Sequence, residues 1–380
     1  MSSSNNNKTS VFSHPHIDRS KWKRVRLGDV CKLCRGVRVV RSQLSQGRYL
    51  VYQNSLIPLG HYDKCNTPAN TTFVIAAGSA GEIGYCDEPF WAADDCFVLL
   101  PNKDVISKFL YYSLAAQQQH ISGLVRRGSV PRLARDIVGN LVLPLPDIAE
   151  QNKIVSALTA IDINIFTIQS LVIKYETIKK ATVNLLLKPR EGWQKVKFGD
   201  VCSSFDYGVG APAMSFDGKN KYIRITDIDD ISHEFKPTPL ASPTFFNSHH
   251  VVRDGDILLA RTGASVGKSY LYRPTDGMLI FAGFLIRASI CTKVADPKFV
   301  FLQTLTSRYQ QWVSEESMRS GQPGLNINQY KNFELYMPEL SEQHKIAVQI
   351  SAIDNVLKNC HRQLAKAQNL KNGLMSYFFG

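Results

Sequence analysis

One nine-residue stretch occurs twice in this chain, as Pro146-Asp-Ile-Ala-Glu-Gln-Asn-Lys-Ile154 and as Pro338-Glu-Leu-Ser-Glu-Gln-His-Lys-Ile346. The match continues at a constant offset of 192, with 18 identities in the 54 positions from Phe109 to Asp162. A second match, of residues 22–31 with residues 193–202, opens each copy at an offset of 171. The chain is therefore an internal duplication, and its second copy is about 21 residues longer in the middle.

Each nine-residue stretch begins a predicted long helix. Beyond it, apolar residues alternate spacings of four and three, which is the seam of a coiled coil. Asp147 and Glu150 fit a capping box at the start of the first helix, Ser341 is a candidate N-cap for the second, and Pro189 follows the end of the first. The predicted seams are Ile154, Leu158, Ile161, Ile165, Ile168, Val172 and Tyr175 in the first helix and Ile346, Ile350, Ile353, Leu357, Cys360, Leu364 and Ala367 in the second.

The middle of each copy is predicted to be β-rich, because short apolar runs such as Tyr49–Tyr52 and Asp256–Leu259 are separated by Gly, Pro and Asp. The expected fold class is α+β, with two β-rich domains joined by two long helices that pack as an antiparallel coiled coil about a pseudo-twofold axis. Each helix, of about 38 residues, is expected to span roughly 57 Å and to separate the two domains. The predicted boundaries are a disordered tail at 1–21, a first β-rich domain at 22–147, a central spacer helix and linker at 148–192, a second β-rich domain at 193–339 and a C-terminal spacer helix at 340–380.

The composition favours a polyanionic partner. The net charge is +13, and nucleic acid is the commonest partner of so basic a chain. The sequence contains no run of about 20 apolar residues and no secretory signal, so we expect a cytoplasmic protein that does not span a membrane. The pair Cys31 and Cys34 lacks a second pair of ligands at matching spacing, so we expect reduced thiols and no metal site.

The duplicated order of these motifs resembles that of the specificity subunits of type I restriction–modification systems, from Trp22 to the end of the chain. A further stretch, Gly255-Asp-Ile-Leu-Leu-Ala-Arg-Thr-Gly-Ala-Ser-Val-Gly-Lys268, is similar to the target-domain signature of that family. The first copy departs from the signature at residues 76–85, where the Arg-Thr pair and the lysine are absent. This departure fits a first domain that reads a different target.

The resemblance implies that each β-rich domain is a target recognition domain that reads one half of a bipartite sequence in double-stranded DNA. It implies that the helices set the spacer and dock two methyltransferase (modification) subunits, with restriction and translocase subunits as optional further partners. It also implies that this chain is not an enzyme, because S-adenosylmethionine lies on the modification subunit and ATP on the restriction subunit. No cofactor is therefore expected on this chain.

Other classes fit less well. The turn Gly263–Ser269 has three residues between its glycines, whereas a phosphate-binding loop needs four. A methyltransferase would need an Asn/Asp-Pro-Pro-Tyr/Phe tetrapeptide, and the sequence has none. Asp230 with Glu234 and Lys236 only partly matches a nuclease motif. The alternative that stays open is a duplicated scaffold or adaptor protein that holds two partners without reading DNA sequence.

Clusters of arginine and amide side chains are the candidate DNA contacts, since arginine pairs with guanine, amides pair with adenine, and cations bind phosphates. Any one of them can equally be a solvated charge or a turn-stabilising amide. The Glu-Gln pairs that open the helices are candidate partner contacts, with capping and packing as the alternative. The predicted DNA-binding residues are Arg35, Arg38, Arg41, Arg126, Arg127, Arg132, Arg135, Arg224, Arg261, Lys268, Arg319, Gln322, Asn326 and Asn328, and the predicted partner-binding residues are Glu150, Gln151, Lys153, Glu342, Gln343 and Lys345.

Overall fold

The computed structural model describes residues 19–318 and 324–380, and the chain divides into two compact units. Unit 1 comprises the residues up to Thr167 together with Leu364–Gly380, and unit 2 comprises Ile168–Gln363. Residues 1–18 of the predicted tail lie outside the described residues, whereas Arg19–Lys21 form one 3-10 turn. The division passes through both long helices, so it differs from the predicted boundaries, which fall at the helix ends.

Unit 1 is built on an antiparallel four-stranded sheet of order β2-β8-β5-β6. A smaller sheet has the order β4-β3-β7, and β1 pairs with β9. Its strands are β1 (Lys23–Arg26), β2 (Cys31–Arg35), β3 (Tyr49–Tyr52), β4 (Gly60–Tyr62), β5 (Thr71–Ile75), β6 (Ile83–Cys86), β7 (Trp91–Ala92), β8 (Cys96–Pro101) and β9 (Val142–Leu145), and its helices are α1 (Leu27–Val30), α2 (Ser107–Ala116), α3 (Gln118–Gly123), α4 (Arg135–Gly139) and the first part of α5 (Ile148–Leu186).

Unit 2 repeats this plan with a sheet of order β11-β18-β15-β16. The pairs β10-β19 and β13-β17 repeat β1-β9 and β3-β7, and the pair β12-β14 is additional. Its strands are β10 (Gln194–Lys197), β11 (Cys202–Tyr207), β12 (Ala213–Ser215), β13 (Lys221–Ile223), β14 (Ala241–Pro243), β15 (Asp256–Ala260), β16 (Ser269–Leu271), β17 (Leu279–Phe281), β18 (Leu285–Ile290) and β19 (Glu334–Met337), and its helices are α6 (Pro297–Gln303), α7 (Ser307–Ser317), α8 (Ile327–Asn332) and the first part of α9 (Leu340–Phe379).

One of the two inner strands of each main sheet is buried along its whole length. Every residue of β5 and of β15 is buried, as expected for a strand covered on both faces. Helix α2 packs on β5, and α6 packs on β15 and β16. The predicted strands therefore become the cores of both units, and the predicted β-rich domains are confirmed.

The additional length of the second copy lies mainly in one segment. The offset between paired positions is 171 for Val51 and Tyr222, which both precede the last residue of their strands. It has risen to 185 for Ile75 and Ala260, which end β5 and β15. Most of the extra residues therefore lie between β13 and β15, and this insertion includes β14.

The two long helices start at Ile148 and Leu340, as the sequence predicts. The Oδ1 atom of Asp147 accepts a hydrogen bond of 2.8 Å from the Glu150 amide, which confirms this capping residue. The predicted N-cap Ser341 is wrong, because α9 has already begun at Leu340 and the carbonyl of Glu339 accepts from the amides of the first turn.

Within each unit the two helices pack antiparallel along the predicted seams. In unit 1, Ile154 and Leu158 of α5 share a hydrophobic core with Phe378 of α9. In unit 2, Val183 and Leu187 of α5 share a core with Ile346 and Ile350 of α9. The start of each helix thus meets the end of the other, and all the predicted seam residues are buried or half-buried.

Helix α5 is also apolar away from its seam. It is long and apolar enough to cross a membrane by length and composition alone, a property that the sequence analysis overlooked and that is weak evidence by itself. Only 17% of its most apolar window is buried. The apolar character of α5 therefore belongs partly to its seam and partly to exposed side chains.

In unit 1 the 3-10 turn at Arg19 meets the end of α9. The Nη1 atom of Arg19 donates a hydrogen bond of 2.6 Å to the carbonyl of Gly380, and Nη2 donates to the carbonyl of Tyr377. Cations stabilise the carbonyl end of a helix dipole. This contact ties the segment before β1 to the last turn of α9.

Candidate nucleic-acid interface

In both main sheets, three neighbouring strands begin or end side by side, and the backbone geometry at this edge, formed by strand ends, is the same in the two units. In unit 1 the amide of Ala76 donates to the carbonyl of Asp95 at 2.6 Å, and the amide of Leu133 donates to the carbonyl of Ala76 at 2.8 Å. In unit 2 the same pair of bonds joins Arg261 to Phe284 at 3.0 Å and Leu325 to Arg261 at 2.8 Å. We call these edges the equivalent edges; they comprise Arg35, Ala76 and Asp95 in unit 1 and Tyr207, Arg261 and Phe284 in unit 2.

A glycine fixes the backbone at each equivalent edge. A Cβ atom at Gly36 would lie 2.1 Å from the carbonyl oxygen of Ala93, and one at Gly208 would lie 2.2 Å from that of Ala282. The amides of these glycines donate to the first residues of β8 and β18. The preceding residues, Arg35 and Tyr207, therefore occupy the same backbone position in the two units.

In unit 1 the structure brings together two groups of arginines that are far apart in sequence. The Nη2 atom of Arg135 donates to the Leu33 carbonyl at 2.7 Å, and Nε of Arg35 donates to the Asp94 carbonyl at 2.8 Å. Burial, with the neighbouring Asp94, raises the pKa of Asp95, and the charges of Arg132 and Arg35 partly oppose this effect. Arg35 and Arg132 therefore lie beside one carboxylate at the equivalent edge.

A short hairpin carries the other arginines of unit 1. The main chains of Arg126 and Arg132 exchange hydrogen bonds of 2.9 and 3.1 Å, so the residues between them form a closed loop. The tip exposes Arg127 and Val130, and Arg127 also lines a shallow groove with Gly78. Arg38 and Arg41 are exposed in the segment after β2. All seven predicted DNA contacts of unit 1 stay predictions, and the structure leaves them accessible.

Three predicted DNA contacts of unit 2 already have partners inside the unit. Arg224 binds the buried carboxylate of Asp227 through two hydrogen bonds of 2.8 Å. The ammonium of Lys268 donates to the Ile228 carbonyl at 3.1 Å and pairs with Asp230. Asn326 accepts from the Gln329 amide at 3.0 Å as the N-cap of α8. These bonds give the three side chains structural roles within the unit, and their predicted DNA contacts stay predictions.

The other predictions in unit 2 have different outcomes. Arg261 lies at the equivalent edge with its guanidinium carbon 4.7 Å from the centroid of the Tyr207 ring. Asn328 is exposed on α8. Arg319 and Gln322 lie outside the described residues. Tyr207 and Phe284 escaped the sequence analysis, although aligning the paired glycines Gly36 and Gly208 would have marked Tyr207.

The insertion of unit 2 forms one wall of a cavity of about 1040 Å³. Glu234 in the insertion pairs with Arg273, and Asp229 lies 3.5 Å from Lys236. Although burial opposes the charge of Asp229, hydrogen bonds from Ser232 and the charge of Lys236 lower its pKa to about 2. Several cations that line this cavity are therefore paired with its own carboxylates, and Lys268 is one of them.

The glutamines of the two helix starts are structural. The Oε1 atom of Gln151 accepts from the Ile106 amide at 2.9 Å, and Nε2 donates to the carbonyls of Asp104 and Pro146. Gln343 makes the equivalent bonds of 2.9 Å with the Asp296 amide and the Pro338 carbonyl. Both side chains are buried, so a partner cannot reach them, and the predicted partner contact is corrected to a structural role.

The neighbouring predicted partner contacts are more accessible. Glu150 accepts a hydrogen bond of 2.8 Å from Nε1 of Trp22, and Glu342 lies 3.7 Å from Arg190. The lysines that follow the glutamines are exposed. Glu150 therefore links the opening segment of the first copy to α5, and Glu342 lies near the linker before the second copy. The partner contacts of these two glutamates and of Lys153 and Lys345 stay predictions.

Helix α5 offers exposed apolar side chains that the sequence analysis did not single out. In unit 1, Phe166 is 70% exposed and lies one turn from exposed Ile163. In unit 2, Ile173 is 65% exposed. These residues lie on the side of the helix away from its buried seam. A row of exposed apolar side chains is typical of a surface that another chain covers.

The described residues contain no group of three or more His, Cys, Asp or Glu side chains that could hold a metal ion. Cys31 is buried, and burial raises the pKa of its thiol to about 12.

Two sheet-based units of the same plan, each with an arginine-bearing edge and half of an antiparallel helix pair, define a duplicated recognition protein. The family described as the type I restriction modification DNA specificity domain matches residues 19–174 and again residues 190–368. The chain belongs to this family. It is a DNA specificity subunit of the type I restriction–modification class.

Individual relatives agree with this assignment. The chain is 19% identical to the type I restriction enzyme MjaVIII specificity subunit of Methanocaldococcus jannaschii, over 93% of this chain and 91% of the relative. It is 21% identical to the EcoBI specificity subunit of Escherichia coli, over 90% of this chain and 79% of the relative. The crystal structure of a type I restriction–modification S subunit from M. genitalium superposes with a TM-score of 0.71 at 17% identity, covering 95% of this chain and 96% of the other. The α+β fold with paired helices is therefore confirmed.

Proposed function

We propose that each unit reads one half of a bipartite sequence in double-stranded DNA. The observation that carries the proposal is the contrast at the equivalent edges, where the backbone bonds are the same and the side chains differ. Arg35, Ala76 and Asp95 in one unit correspond to Tyr207, Arg261 and Phe284 in the other. A duplicated scaffold that binds the same partner twice has little reason to vary these positions, whereas a reader of two half-sites must vary them.

The net charge of +13 supports DNA as the ligand, because cations on the surface of each unit can bind phosphates while a few side chains reach base edges. The exposed arginine hairpin of unit 1 suits this role. Its tip holds Arg127, and Arg126 and Arg132 stand at its base.

The two long helices set the spacing of the half-sites and dock two methyltransferase subunits. The exposed apolar side chains of α5, such as Ile163 and Ile173, supply a surface that a partner can cover. Residues 163 and 173 correspond to Asn355 and Ala365 of α9, so it is the repeated helical frame, and not these side chains, that lets the same partner bind twice. Restriction and translocase subunits are optional further partners.

This chain catalyses no reaction in the proposal and acts in the cytoplasm. S-adenosylmethionine would be held by the methyltransferase subunits and ATP by the restriction subunit. The chain contributes the choice of sequence and the positions of its partners.

The test is to express the chain together with the methyltransferase encoded beside it and to map methylated bases by single-molecule sequencing. We expect methylation at a two-part motif with a fixed spacer, lost when this chain is omitted or when the methyltransferase is inactivated. A partner that co-purifies with the chain and is active, but methylates no such motif, would favour the scaffold alternative.

A further inference from the structure

The main chain holds Arg261 at a fixed place on the equivalent edge of unit 2. Its amide donates to Phe284 and its carbonyl accepts from Leu325, so it is tied to β18 on one side and to the segment before α8 on the other. It directly follows β15, which is buried along its whole length. A side chain that recognises DNA bases needs such a rigid main chain, because small displacements weaken directional hydrogen bonds.

The guanidinium of Arg261 lies over an aromatic ring and has no carboxylate partner among the described residues. It lies over the ring of Tyr207 at 4.7 Å, and its Nε atom is buried without a hydrogen-bond partner among the described residues. A stacked guanidinium keeps its plane and its terminal N–H donors available for a planar ligand. By contrast, Arg224 and Arg287 of the same unit are bonded to the carboxylates of Asp227 and Asp206.

Phe284 completes the group. Its side chain is 65% exposed, although the next residue, Leu285, is fully buried. Its main chain is bonded to that of Arg261, and an exposed large aromatic ring at such a position favours a ligand with both apolar and polar surface. The edge of a DNA base pair in the major groove is such a surface.

We propose that Arg261, which lies over the ring of Tyr207, pairs bidentately with the O6 and N7 atoms of a guanine in the half-site bound by unit 2. Phe284 makes the apolar contact with the adjacent base pair. The inference rests on the proposed function and deepens it, since it names one base and the residue that reads it.

Unit 1 supports this assignment by contrast. The residue at the position of Arg261 is Ala76, which carries no donor, and the residue at the position of Phe284 is Asp95. The arginine of this edge is Arg35, at the position of Tyr207, beside an acceptor instead of an aromatic ring. The two edges therefore cannot prefer the same base at the same place.

The experiment uses the full chain in complex with its methyltransferase partner. The variants are Arg261→Ala, Arg261→Lys and Tyr207→Leu, and the matched control is Arg253→Ala. Arg253 is an exposed arginine of the same unit that precedes β15, whereas Arg261 follows it. The readouts are the methylated motif and the binding of DNA duplexes in which each base of the unit 2 half-site is changed in turn.

We expect Arg261→Ala to lower the preference for guanine at one position by about ten- to hundredfold, with the other half-site unchanged. Arg261→Lys should lose the same preference although it keeps the charge, because an ammonium lacks the planar fork. Tyr207→Leu should weaken the preference at that position, and Arg253→Ala should leave the motif as it is. Co-purification of the partner checks that each variant is folded. If Arg261→Ala does not fold, Arg261→Lys alone tests the preference for guanine.

Three results would overturn the inference. One is a wild-type half-site without guanine, and another is an unchanged motif in both Arg261 variants. The third is a uniform loss of affinity for all duplexes that Arg261→Lys restores, which is the behaviour of a phosphate contact. If the wild-type complex methylates no bipartite motif at all, the proposed function fails and this inference fails with it. A normal wild-type motif with unaffected variants overturns this inference alone.

Discussion

The Oδ1 atom of Asp354 lies 2.7 Å from the Nζ atom of Lys179, which joins α9 to α5 within unit 2. In unit 1 the same distance of 2.7 Å separates Asp162 from Lys371, and both residues of this pair stand 192 positions from those of the first. The duplication therefore repeats an inter-helical ion pair as well as an apolar seam. Asp354 also accepts a hydrogen bond of 2.8 Å from Lys298 on α6.

We expect Asp354→Asn to lower the free energy of unfolding by about 1–2 kcal/mol, because two lysines lose a charged acceptor that is largely shielded from water. Urea denaturation of the full chain at neutral pH measures the change. The control is Asn355→Ala, which alters an exposed neighbour on the same helix turn. Equal stability of Asp354→Asn and the wild type would show that the ion pair contributes nothing.

The same pair predicts a dependence on pH. Burial opposes the charge of Asp354, but Lys298 and Lys179 outweigh it, so the pKa of this carboxyl is lowered from the ordinary value of 3.8. A lowered pKa in the folded state means that the stabilisation is complete above about pH 3.8 and is lost as the pH falls through the lowered value. The stability difference between wild type and Asp354→Asn should therefore be constant near neutral pH and shrink below that value. A difference that instead shrinks between pH 5 and 8 would contradict this account.

Gln343 is expected to matter for stability and not for partner binding. Gln343→Ala leaves the Asp296 amide and the Pro338 carbonyl without their buried partner, at a cost of about 2–4 kcal/mol. Thermal unfolding measures the loss, with the exposed Lys345→Ala as a control that should change stability little. Below its melting temperature the Gln343→Ala variant should still co-purify with the methyltransferase. Loss of the partner at full stability would restore the contact role that the sequence suggested.

The exposed apolar side chains of α5 are expected to bind the partner subunits. Ile163→Asp and Ile173→Asp should reduce co-purification of the methyltransferase at least tenfold, because a charge would be buried against an apolar surface. The stability of the isolated chain should hardly change, since both side chains are exposed. Asn164→Asp places the same charge on another exposed position of the helix and serves as the control. Normal assembly of both variants would move the partner surface elsewhere.

The role of the helices as a spacer can be tested by lengthening them together. One heptad inserted after Ile168 in α5 and a matching one after Gln363 in α9 keeps the seams in register. We expect the methylated motif to keep both half-sites and to gain a different spacer. Single-molecule sequencing measures this, and insertion in one helix only, which breaks the register, is the control. A spacer that does not change would contradict the role assigned to the helices.

The sequence predicted the features that depend on local periodicity. The seam from Ile154 to Tyr175 follows from a spacing that a helix must place on one face, and the second copy shows the same spacing. The start of α5 followed from the short-range bond between Asp147 and Glu150. Such signals need only neighbouring residues, so no tertiary information is required.

The candidate site was less predictable because it depends on register and on distant partners. A bulge between Cys202 and Ser204 adds one residue to β11, so a constant offset pairs Tyr207 with Gly36 instead of Arg35. Lys268 is occupied by Ile228 and Asp230, which lie in the segment between β13 and β15 where the second copy is longer. The composition of a segment reveals neither a bulge nor such a partner.

The contact between Arg19 and the carbonyl of Gly380 has a consequence for how such a gene can vary. After α5 the chain continues through Pro189 and Arg190 to the next strand by peptide bonds, whereas after α9 a side chain makes the corresponding junction. One junction is therefore covalent, and the other is made by a side chain within unit 1. Recombination between the repeated segments can exchange one half of the target without rebuilding the frame that holds the other.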